Sequence, residues 1–119
     1  MTARNPLTTA PPYPVETALK TLGANIRTAR LRRGLSSQDL GLKIGVGRHT
    51  VGEAERGKPS TAVAVYAGLL WALGLLDQLG AVAAPTADEE GQTLALSREP
   101  KRAGRPGSAR WGGTLDNDF

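Results

Sequence analysis

Apolar residues return every three or four positions from residue 16 onward, and this spacing predicts a run of short helices. Leu19, Leu22, Ile26 and Ala29 share one face of the first. Arg27, Arg30, Arg32 and Arg33 crowd its C-terminal half, where positive charge suits the helix dipole, and Gly34 ends it. A second helix is expected at once. Ser36 is its cap, Asp39 the capping-box partner, Leu40 and Ile44 its inward residues, and Gly45 its left-handed exit. A third helix is expected over residues 47–55, stopped by Gly57 and Pro59. Ser60 or Thr61 is the expected cap of a fourth, strongly apolar helix that runs to Leu73 and contributes Tyr66, Leu69, Leu70 and Leu73 to the core, with Leu75 beyond it. Gly74 breaks that helix, and residues 75–82 form a short fifth.

The two ends lack this pattern. Residues 1–15 hold Pro6, Pro11, Pro12 and Pro14 and are expected to form a disordered arm. Beyond Pro85 the chain turns polar. Asp88-Glu89-Glu90 is the expected start of a last helical turn, whereas residues 92–97 alternate with period two and suit a strand formed on binding or dimerisation. Glycine and charge dominate from Pro100 onward. The expected organisation is an arm (1–15), an all-α domain of five helices (16–84), and a mostly disordered tail (85–119) with a candidate partner-binding segment.

Composition narrows the classes. Aromatic residues make up only 4% of the 119, so the core must be aliphatic. With no cysteine, disulfides and thiolate metal sites are excluded. No basic stretch followed by an apolar one is seen at the N-terminus, and a cytoplasmic location is expected. The longest apolar run, 62–76, falls short of the roughly 18–20 residues that cross a bilayer, so no membrane partner is expected. The net charge is +4, and its placement matters more than its size. Residues 16–82 carry nine basic and five acidic side chains, whereas residues 83–119 are slightly acidic. The positive charge therefore lies on the part expected to fold, as a phosphate-binding surface requires.

The second and third helices are separated by a four-residue turn centred on Gly45, which is helix-turn-helix spacing. Such a turn makes the helices cross steeply and frees the start of the third to enter a major groove. The stretches Leu22-Gly23-Ala24-Asn25-Ile26-Arg27, Arg33-Gly34-Leu35-Ser36, residues 39–46, Val51 and Glu55-Arg56-Gly57-Lys58 resemble the lambda-repressor-like, or XRE-type, helix-turn-helix family over residues 18–82. The resemblance implies a five-helix DNA-binding domain. It implies base-reading by Arg48, His49 and Glu53, and phosphate contacts from Ser37, Gln38, Thr50, Arg56, Lys58 and Arg27. It also implies an internal ion pair between Arg30 and Glu55. Gly47 stands where the family prefers a Ser or Thr cap, Gly52 interrupts the reading helix, and Ala54 replaces a larger apolar residue. A small residue at Gly41 suits the contact between the second and third helices.

Enzymatic readings find little support. His49 is the only histidine, which leaves no second imidazole for a zinc site or a nucleophile–base pair, and no catalytic residue, metal or cofactor is expected. Residues 52–58 have P-loop spacing, but Pro59 follows where a hydroxyl would bind magnesium, and no strand precedes them. Trp71, Leu76 and Leu79 are the expected dimer face, and a dimer matches a palindromic operator.

Residues 72–79, Pro85, Asp88-Glu89, Gly91 and residues 98–102 resemble the HipB-type antitoxins of bacterial toxin–antitoxin pairs. That resemblance implies an autorepressor of its own operon that also neutralises a HipA-type serine/threonine kinase toxin. Trp111, an aromatic residue in a polar tail, is the expected anchor for such a partner. Two alternatives stand beside this reading: a stand-alone XRE-type repressor, and a protein-interaction module of the same fold without DNA binding.

Overall fold

The computed structural model describes residues 5–98, and every regular element among them is helical. They fall into two units, the first ending at Val82 and the second beginning at Ala83. The first contains α1 (Pro6–Thr9), α2 (Tyr13–Arg32), α3 (Ser37–Ile44), α4 (Arg48–Glu55), α5 (Val63–Leu73) and α6 (Asp77–Gly80). The second contains a single 3₁₀ turn (Pro85–Ala87) and α7 (Glu89–Arg98).

Local chemistry sets these boundaries. At the start of α3, the Ser36 hydroxyl accepts from the Asp39 N–H at 2.9 Å, and the Asp39 carboxylate accepts from the Ser36 N–H at 3.1 Å. The capping box thus satisfies two amides that a helix start would leave unpaired. Gly45 ends α3 at φ +78°, a conformation that costs glycine nothing, and only residues 45–47 separate α3 from α4. The turn is one residue shorter than the sequence suggested.

Several expectations need correction. The segment read as a disordered arm is helical in part: the Asn5 side chain caps α1, and α2 begins at Tyr13 rather than Glu16. Pro12 precedes α2 and Pro14 lies in its first turn, where a missing N–H breaks no helical bond. Neither Ser60 nor Thr61 caps α5; Ala62 occupies that position without a side-chain bond. The fifth expected helix shrinks to Asp77–Gly80. The period-two segment 92–97 lies within α7, not in a strand. The Asp88 carboxylate accepts from the Gly91 N–H at 2.9 Å, and Gln92 donates to the Pro85 carbonyl at 2.7 Å, so local capping decides for helix over alternation.

The core of the first unit is aliphatic. Ile26, Leu40, Val51 and Leu69 are fully buried, one from each of α2, α3, α4 and α5. Ala29, Ala54, Tyr66, Leu70 and Leu73 complete the buried cluster, with Leu22, Ile44 and Leu75 partly buried against it. Each fully buried large side chain contributes roughly 1.5–3 kcal/mol relative to exposure. Tyr66 is held by its hydroxyl, which donates to the Lys58 carbonyl at 3.1 Å and ties α5 to the loop after α4. Burial pushes that hydroxyl above its ordinary pKa.

Glycine permits the helices to come this close. A Cβ on Gly23 would strike the carbonyl oxygens of Ala54 and Glu55, so α2 touches the backbone of α4 there. Gly41 meets the Val46 carbonyl oxygen in the same way. The small Ala54, fully buried, belongs to this close approach. Gly52 differs, because an added Cβ would meet only the tip of the Arg56 side chain at 3.3 Å. Two opposite outcomes follow for one chemical change. Gly23→Ala is expected to destabilise the protein by about 1–3 kcal/mol through overpacking. Gly52→Ala is expected to stabilise it by up to about 1 kcal/mol through helix propensity. Urea unfolding of both variants measures the two signs.

Candidate nucleic-acid interface

The last residue of α4 anchors the helix. Arg30 Nε donates to one oxygen of Glu55 at 2.6 Å and a terminal nitrogen to the other at 3.0 Å. The remaining terminal nitrogen donates to the Leu35 carbonyl at 2.9 Å. Both residues are buried, with 7% and 9% of their surface exposed. Their mutual hydrogen bonding raises the Arg30 pKa further above its already high value. The two residues named from the resemblance as an internal pair are thus brought together.

With Val51, Ala54 and Glu55 facing inward, the other side of α4 is open. Arg48 and His49 are exposed at its start and Arg56 at its end, with Lys58 just beyond. Gly47 caps α4 with backbone alone, in an extended conformation with open space around its Cα. The first amides of α4 therefore have no side-chain acceptor. Across the turn, Gln38, Leu42, Val46, Gly47 and Arg48 line an open groove between α3 and α4. Gln38 and Arg48, assigned separately to phosphate and to base, share this groove.

The remaining candidates are distributed unevenly. Ser37 and Thr50 are half-buried, whereas Arg27 is exposed on α2. Glu53 has partners inside the protein: its Oε2 accepts from Lys58 Nζ at 2.9 Å and lies 3.3 Å from His49 Nε2. The Lys58 hydrogen bond is the main cause that holds the Glu53 carboxyl below its ordinary pKa, with His49 and Arg56 adding to it. Glu53 and Lys58, expected to reach for a base and a phosphate, meet each other in the free protein. On the expected dimer face, Trp71 is 61% and Leu76 38% exposed, but Leu79 is partly buried against the core. Trp111 lies outside the described residues.

Two features of this surface escaped the sequence reading. Leu42, 73% exposed, lines the groove. Its position was implicit in the helical period, because Leu40 faces inward and a residue two further on points away from it. The bond from Lys58 to Glu53 spans the end of α4 and follows no helical spacing. His49 and Glu53, four apart on the helix, did carry a signal. Among the described residues no cluster of side chains suits a metal ion, and no helix is long and apolar enough to cross a membrane. No family model, no curated protein and no solved structure matches the chain.

Two measurements test this geometry. Arg30→Met leaves the Glu55 carboxylate buried without its partner, and urea unfolding should show a loss of about 3–5 kcal/mol. Adding Glu55→Leu should recover a large part of it, since the uncompensated charge is then gone. The second measurement concerns acid. Asp39, bonded to Ser36, and Glu53, bonded to Lys58, both have pKa values lowered by folding. Folded protein therefore binds fewer protons than unfolded protein in acid, and stability decreases as the pH is lowered. The stabilisation they contribute is complete above the unfolded carboxylate range, near pH 4, and is lost as the pH drops through their folded values. Asp39→Asn should flatten the fall in melting temperature below about pH 4.

Proposed function

We propose that the chain is a sequence-specific DNA-binding regulator with a lambda-repressor-like helix-turn-helix, in which α4 enters the major groove and the start of α3 rests on the phosphate backbone. The observation that carries this reading is the two-sidedness of α4. Its inner face is locked to α2 by the Arg30–Glu55 pair, while its outer face exposes His49 and its first position exposes Arg48 beside Gln38. A helix fixed on one side and cationic on the other has the form that a major groove about 12 Å wide admits. Arg48 is the base reader, suited to guanine, and His49 is its neighbour on the same edge. Arg27, Arg56 and Lys58, with Ser37, Gln38 and Thr50, are the phosphate contacts. The resemblance over residues 18–82 supports the same assignment. The exposed Trp71 and Leu76 support a homodimer on a palindromic site.

The narrower reading is a HipB-type antitoxin that represses its own operon and holds a HipA-type kinase toxin. Residues 72–102 support it through their resemblance to that family, and Trp111 is the proposed anchor. Co-expression with a kinase of that type tests it. Retention by the wild-type chain with loss in Trp111→Ala is the expected result, and no retention of either leaves a stand-alone repressor.

DNA binding is tested with a duplex selected by the protein from a random-sequence pool. Affinity is expected to fall steeply as salt rises from 50 to about 200 mM, because phosphate contacts release counterions. Arg48→Ala should weaken binding to the selected duplex by about 1–3 kcal/mol, roughly 5- to 150-fold, at unchanged thermal stability. Failure to select any sequence, with a flat salt response, would contradict the proposal in favour of a protein-interaction module.

A further inference from the structure

The exposed surface of α4 and the loop after it carries one carboxylate among several cations. Between Asp39 and Asp77 the only acidic residues are Glu53 and Glu55, and Glu55 is buried with Arg30. Glu53 thus stands alone among Arg48, His49, Arg56 and Lys58. It is not a passive surface charge, because a single oxygen, Oε2, is shared by Lys58 Nζ at 2.9 Å and His49 Nε2 at 3.3 Å. Its side chain keeps only 22% of its exposure, against 82% for His49 and 49% for Lys58. The two basic groups converge on it from opposite directions along the chain, one from the turn of α4 before it and the other from beyond the helix end.

We infer that Glu53 is a specificity-determining residue that acts as an internal stand-in for phosphate, holding Lys58 and His49 until a correctly seated DNA backbone replaces it. The inference rests on the proposed DNA-binding reading and changes the role of one residue within it. A carboxylate oxygen and a phosphate oxygen offer these donors the same kind of charged acceptor. DNA that takes Lys58 away from Glu53 must therefore return as much as it removes, and must also tolerate a carboxylate near its own negative charge. A duplex docked in register, with Arg48 on its base, meets both demands. A duplex docked loosely through phosphates alone does not. Glu53 consequently lowers affinity for random DNA more than for the selected site, which is discrimination by an unfavourable term against the wrong partner.

Glu53→Gln removes the charge and keeps the size. Asp77→Asn, on α6, makes the same change of net charge away from α4 and serves as the reference for the general effect of one lost negative charge. Binding of wild type and both variants is measured by fluorescence anisotropy against a random-sequence 30-base-pair duplex and against the duplex selected by the wild type, over a series of salt concentrations. Thermal unfolding confirms that each variant is folded. The expected result is that Glu53→Gln binds the random duplex about five- to tenfold more tightly than wild type, and clearly more tightly than Asp77→Asn does. Its salt slope on that duplex should steepen by about one unit, as one more cation becomes free for phosphate. Affinity for the selected duplex should change by less, so the ratio between the two duplexes falls. Lys58→Met should remove the gain when combined with Glu53→Gln. Wild-type binding with Glu53→Gln no different from Asp77→Asn on the random duplex would overturn the inference and leave the DNA-binding reading intact. Weakened binding of Glu53→Gln to the selected duplex alone would return Glu53 to base reading. Absence of any wild-type binding would overturn both.

Discussion

Two opposite charges buried together hold α2 against α4. The Arg30 guanidinium donates to both oxygens of Glu55 and to the Leu35 carbonyl, so one side chain links α2, the segment entering α3 and the last residue of α4. Taking both charges out of water costs several kcal/mol each, and only bidentate geometry with the third bond offsets it. Glu55 also ends a helix, where the dipole is negative and a carboxylate is unwelcome without a cation. The pair therefore does less for stability than for definition. It fixes which turn of α4 lies against α2, and so which side chains remain outside.

That division organises the surface. Gly23 lets the α2 backbone reach the carbonyls of Ala54 and Glu55, and Gly41 does the same between α3 and the turn before α4. These close approaches leave little freedom to rotate α4 about its axis. His49 is outside because Val51, Ala54 and Glu55 are inside, whereas Arg48 shares their side of the helix and is exposed because it opens α4 at the turn. Gly47 and Gly52, by contrast, meet no backbone that requires them. Gly52, inside α4, weakens the helix without serving the packing, whereas the glycines that face it from α2 and α3 serve the packing directly.

Much of the helical framework could be read from the chain because its signals are local. The capping box at Ser36 and Asp39, the exits at Gly34, Gly45 and Gly74, and the inward stripe of α5 each depend on neighbours in sequence. Errors arose where local signals compete. Prolines suggested an irregular arm, yet Pro12 and Pro14 occupy the positions where a helix accepts them. Alternation at 92–97 suggested a strand, yet Asp88 and Gln92 close helical turns. Within the candidate interface, the identities of Arg48 and His49 were legible; the exposure of His49 follows from the helical period, and that of Arg48 from its place at the helix start. The bond between Glu53 and Lys58 was not, because it joins a helix to the loop beyond it. Only the folded arrangement shows that a residue expected to face DNA is already held.

On the proposed reading, the outer face of α4, with the start of α3, meets DNA while the α5–α6 side does not. Mapping amide resonances of isotopically labelled protein during titration with a duplex tests this most directly. Perturbations concentrated at Gln38, Arg48, His49, Arg56 and Lys58, with Leu69 and Asp77 undisturbed, are the predicted result. Perturbations centred on α5 and α6, or none at saturating duplex, would contradict it.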